Sequence, residues 1–72
     1  MPTWKELDRF CKNDGWDNWK STDHKFYRKD DEYGNPRMTK VSHGTGEIPK
    51  HLWHEILNKQ LRVTKEYFIS KI

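Results

Sequence analysis

The sequence predicts a small α+β domain in which one helix precedes three strands and a second helix follows them. Three observations carry that expectation: a helix-capping signature before a 3.6-periodic stretch, three short segments separated by turn residues, and a leucine-rich helical stripe behind a proline. A chain of 72 residues suffices for one domain, 1–72, and not for two. At this size it buries only roughly 60% of the surface it exposes when unfolded. Apolar residues are 32% of the chain, charged residues 35%, and alanine is missing. The four tryptophans, three tyrosines and three phenylalanines must therefore supply most of the core, at roughly 150–250 Å² each.

Thr3, Trp4, Lys5 and Glu6 form a capping box, in which the threonine hydroxyl accepts from the Glu6 amide and the Glu6 carboxylate accepts from the Thr3 amide. Trp4, Leu7, Phe10 and Cys11 then recur on one face, and Gly15 supplies a left-handed stop, which gives a helix over about Trp4 to Asp14. The stretches "WDNWK", "HKFYRK" and "RMTKVSH", with "ST" and "DDEYGNP" as turns, read as a three-stranded antiparallel meander. In the middle strand a period of two sets His24, Phe26 and Arg28 on one face and Lys25, Tyr27 and Lys29 on the other. Of the rings here, Phe26 reads as core, while Tyr33, in the turn, suits either burial or an exposed role.

"SHGTGEIP" is a glycine-containing loop. Its "GTGE" lacks the length and lysine of a phosphate-binding P-loop and reads as a turn. Pro49 fits the first turn of the next helix, where a missing amide costs nothing. Leu52, Trp53, Ile56, Leu57 and Leu61 form that helix's apolar stripe and leave His51, His54, Glu55, Lys59 and Arg62 toward water. Thr64 caps a last short helix whose Tyr67 and Phe68 close the open end of the core. Both helices then cover one face of the sheet and leave the other to water or a ligand. This α-β-β-β-α layout is shared by domains of the double-stranded-RNA-binding-like fold, an analogy of fold alone.

The net charge of +3 and a sequence pI near 9.1 suit contact with phosphates or an acidic partner. Cys11 is the lone cysteine, so no internal disulfide forms and nothing points to an oxidising compartment. No apolar run is long enough to span a membrane, and "MPTWKELDRF" lacks a signal peptide's apolar stretch. The expectation is a cytoplasmic protein with no membrane partner. His51 and His54 lie one turn apart with His43 and Glu47 nearby in sequence, but "HLWHE" is not the zinc-protease signature. No metal and no cofactor are expected.

"DGW" after the first helix, "H-x-F" opening strand two, the "VSHGTGEIP" loop and the helix "HLWHEILNKQL" resemble, in order and spacing, the HicA-like toxins of bacterial toxin–antitoxin pairs. The resemblance covers nearly the whole chain. It implies a messenger-RNA-cleaving ribonuclease held inactive by a HicB-like antitoxin. The family writes its catalytic stretch as glycine, serine, histidine, often with a second histidine, before the strand-two phenylalanine. Here those positions read Ser21, Thr22, Asp23 and His24. Aligned on Phe26, His24 falls on the second histidine and Asp23 on the first.

RNA carries its own nucleophile in the ribose 2′-hydroxyl, so cleavage needs a base for that proton, cations around the phosphorane, and a proton for the leaving oxygen. A histidine, with an ordinary pKa of about 6.5, takes up a proton near neutral pH without a metal. The expectation is therefore that His24 is the general base and Asp23 its orienting group, with Lys25, Arg28, Lys29 and Lys40 holding phosphates. The alternatives are a non-catalytic RNA-binding domain of the same fold and an interaction module for an acidic protein. Trp19, Trp53, Tyr67 and Phe68 are many large rings for so small a core, which makes one or two of them candidates for an antitoxin interface.

Overall fold

The computed structural model describes residues 2–44 and 46–72; Met1, the first residue of "MPTWKELDRF", and Thr45, within the "GTGE" turn, lie outside the described residues. The chain is α+β, in the expected order. Helix α1 (Trp4–Asn13) leads into strands β1 (Asp17–Ser21), β2 (His24–Asp30) and β3 (Pro36–Ser42), followed by α2 (Lys50–Glu55), a π-helical continuation (Ile56–Leu61) and α3 (Lys65–Ser70). The sheet is antiparallel with β2 central.

The capping box forms as read: Glu6 N–H donates to Thr3 Oγ1 at 3.2 Å and Thr3 N–H to Glu6 Oε1 at 2.9 Å. At the other end of α1, Gly15 takes φ 79°. The amide of Trp16 then donates to Cys11 O at 2.8 Å and that of Gly15 to Lys12 O at 3.4 Å. This double closure satisfies two orphan carbonyls and explains why Trp16, expected to open strand one, instead turns inward. It is 6% exposed, its ring centroid lies 6.4 Å from that of Phe10, and its Nε1 donates to Asp14 at 2.9 Å.

The core gathers Leu7, Phe10 and Cys11 of α1, Tyr27 and Val41 of the sheet, Ile48 of the loop, and Trp53, Ile56, Leu61 and Phe68 of the later helices. Phe68 stacks on Phe10 at 4.9 Å and meets Trp53 edge-on at 4.7 Å, so α3, capped by Thr64, closes the core as expected.

Both helical layers sit on the same face of the sheet. Tyr27 bonds Asp8 of α1, while Thr39 Oγ1 donates to Gln60 Oε1 at 2.8 Å and Arg37 Nη1 to Leu61 O at 2.9 Å. The leucine-rich segment winds wider than an α-helix after Glu55 and ends at Arg62, whose φ of 55° is the left-handed region. The Arg62 guanidinium donates to Pro36 O at 2.9 Å and fastens that end to β3.

One ring expectation is overturned. Tyr27, 1% exposed, is the core ring of β2, and Phe26 lies on the opposite, open face. Val41 and Thr39 of β3 face inward and pair with Lys25 and Tyr27, which fixes the parity of β2. Burying Phe26 would have put His24 and Arg28 beneath the helices. With Tyr27 inward the flanking Lys25 and Lys29 extend to Asp8 and Asp14, so neither ammonium is left unpaired.

Candidate nucleic-acid interface

The open face is built around three consecutive outward residues of β2. His24 lies opposite Ser42, Phe26 between Lys20 and Lys40, and Arg28 between Asp17 and Met38. Among the described residues the His24 ring makes no hydrogen bond or ion pair, and neither does the Lys40 ammonium. Arg28 Nε stands 3.9 Å from Asp17 Oδ2 with both side chains mostly exposed, a contact that contributes little. Asp17 and Asp30 collect at the end of the face away from His24, where β1 begins and β2 ends. The half that carries His24, Lys20 and Lys40 is cationic.

A bulge sharpens this face. Asn18 pairs with Tyr27 and Lys20 with Phe26, so Trp19 is an extra residue in β1. Its ring lies 5.7 Å from that of Phe26, and Lys20 Nζ lies 5.4 Å from the Phe26 centroid.

The predicted site residues divide between the two faces. His24, Arg28 and Lys40 come together on the open one. Lys25 and Lys29 point at α1: Lys25 Nζ is 3.5 Å from Asp8 Oδ2, and Lys29 Nζ donates to Asp14 O at 2.6 Å and stands 3.5 Å from Asp14 Oδ2. Asp23 is exposed in the β1–β2 turn, and no hydrogen bond joins it to the His24 ring. His51 and His54 are exposed on α2; among the described residues no three His, Cys, Asp or Glu side chains converge as a metal site.

The acids under the sheet are tuned by these contacts. Burial pushes the Asp8 carboxyl up, but hydrogen bonds from Tyr27 and Lys12 and the charges of Lys25 and Lys12 outweigh it, and the group sits below the usual carboxylate range. Asp14 behaves alike: burial raises it, and bonds from Tyr67 and Trp16 with the nearby Lys29 bring it lower. Burial and the bond to Asp8 push the Tyr27 phenol up. Burial, with Asp8 and Asp14 adding to it, also raises the Cys11 thiol, which makes it an inert core residue.

Sequence reasoning missed His43 as a neighbour of His24. It follows Ser42, the partner of His24, and its Nε2 lies 3.1 Å from Thr22 O in the β1–β2 turn. A carbonyl only accepts, so Nε2 is the donor in this contact. His43 also borders a cleft of about 280 Å³ with Trp4, Lys5, Asp8 and Lys25, on the helix side of the sheet. The signal available in sequence was a histidine directly after strand three, at the same end of a meander as the residue that opens strand two.

The chain matches no known protein family, no curated protein and no solved structure. No helix among the described residues is long and apolar enough to cross a membrane.

Proposed function

We propose that the protein is a cytoplasmic, metal-independent endoribonuclease, the toxin of a type II toxin–antitoxin pair, which acts on messenger RNA and is held inactive by a HicB-like antitoxin. The observation that carries this reading is the uncommitted imidazole of His24 on an open face that also presents Lys20, Arg28 and Lys40. The sequence resemblance to HicA-like toxins supplies the rest. In the proposed reaction His24 takes the proton of the ribose 2′-hydroxyl, and the 2′-oxygen attacks the adjacent phosphorus. The bond from phosphorus to the 5′-oxygen breaks, that oxygen takes up a proton, and the products are a 2′,3′-cyclic phosphate and a 5′-hydroxyl. Lys40 and Arg28 bind phosphates as charge-assisted donors; Lys25 and Lys29, on the other face, take no part in the same contact.

A non-catalytic RNA-binding domain is the second reading, favoured by the lack of a hydrogen bond between Asp23 and the His24 ring. Turnover of single-stranded RNA separates the two. The wild type is expected to leave cyclic-phosphate ends, and His24→Ala to lower the rate by roughly 10²–10⁴-fold with an unchanged melting temperature. Equal cleavage by both proteins removes His24 from the mechanism, and no cleavage by either leaves the binding domain.

A further inference from the structure

We propose that Trp19 and Phe26 form a base-stacking platform, which makes unpaired, single-stranded RNA the ligand of the open sheet face. This rests on the preceding reading for RNA as the ligand class and adds which strand form is taken and where its bases lie.

The sequence spends a structural irregularity on this spot. Without the bulge, β1 would alternate and Trp19 and Lys20 would face opposite sides. The extra residue puts both against the same ring of β2, Trp19 at 5.7 Å with the planes inclined at 54° and Lys20 at 5.4 Å. Bulges recur where a side chain must be re-aimed. Trp19 remains 43% exposed and Met38, on the same face, 51%. The core is closed by other rings, so nothing in the packing of the domain calls for an indole here.

Charge decides among occupants. Lys20 and Lys40 face Phe26 from the two neighbouring strands, which lie roughly 4.8 Å away on either side. Rings flanked by cations match bases followed by phosphates, the arrangement with which single strands are held. A duplex keeps its bases stacked inside and offers a protein its phosphates and hydroxyls, which leaves the indole without a partner. An acidic protein would meet the lysines but has no reason to seek the ring pair.

Intrinsic fluorescence reads the platform through the difference between wild type and Trp19→Phe, because Trp16 and Trp53 are each 6% exposed, Trp4 is half-buried on the helix side of the sheet, and Trp19, on the open face, is 43% exposed. The probe is an uncleavable 2′-O-methyl single-stranded oligonucleotide, with the same sequence as a duplex and polyglutamate as comparisons. The single strand is expected to quench the wild type and His24→Ala alike, and Trp19→Phe to remove most of the quenching. Trp19→Ala is expected to weaken the single strand's affinity roughly tenfold or more. Quenching that survives Trp19→Phe, or that duplex or polyglutamate produces equally, overturns the proposal. Cleavage of RNA without quenching removes the platform and leaves the ribonuclease reading in place. Quenching without cleavage does the reverse.

Discussion

Alternate residues of one strand live in different chemical worlds. Lys25, Tyr27 and Lys29 and their neighbours His24, Phe26 and Arg28 have similar composition, a ring between basic groups. The first set is consumed by α1: Tyr27 Oη donates to Asp8 Oδ1 at 2.5 Å, and the lysines pair with Asp8 and Asp14. The second has no helix over it and meets only strand neighbours. Basic residues near an aromatic are therefore a poor guide to binding until the face is known, and the comparison identifies which three of six side chains remain available to a ligand.

Truncation of the two rings breaks the comparison most sharply. Tyr27→Ala removes a core ring and its hydrogen bond to Asp8, and is expected to cost about 3–5 kcal/mol, a large share of a small domain's stability. Phe26→Ala, on the open face, is expected to cost about 1 kcal/mol or less. Urea unfolding of both variants checks this; similar midpoints would mean that the strand's faces are reversed.

Acid probes the same inner contacts. Asp8 and Asp14 are held below the ordinary carboxylate range in the folded protein, so between the folded and unfolded pKa values the unfolded chain binds more protons and stability rises with pH. Their contribution is complete above the unfolded pKa of about 3.9 and is lost as pH falls through the lower folded values. Melting followed from pH 6 down is expected to show a decline in the wild type that Asp8→Asn and Asp14→Asn each flatten. An unchanged acid limb in both variants would show that these pairings do not hold the helix to the sheet.

Much of this was legible in the sequence. The capping box, the Gly15 stop, the meander, the helical stripe and the Thr64 cap depend on local chemistry and stand where the residues placed them. The period-two division of β2 was legible too. Which set faced inward was not, because His, Phe and Arg against Lys, Tyr and Lys give no hydrophobic contrast, and the deciding contacts come from Asp8 and Asp14, 17 and 15 residues away from Lys25 and Lys29. The bulge at Trp19 was hidden for a related reason: "WDNWK" has no glycine to mark it, and it exists only through the register with β2.

The smallest expected effect tests the central claim, that the even-numbered face of β2 is the one that meets RNA. Affinity for the uncleavable single strand is measured across a salt series for Arg28→Ala, Lys40→Ala, Lys25→Ala and Lys29→Ala. The first two are each expected to reduce the slope of log affinity against log salt by roughly 0.7 with little change in melting temperature, and the last two to lower melting temperature and leave the slope alone. A slope that falls only with Lys25 and Lys29 would contradict the account and move the nucleic acid to the helix side of the sheet.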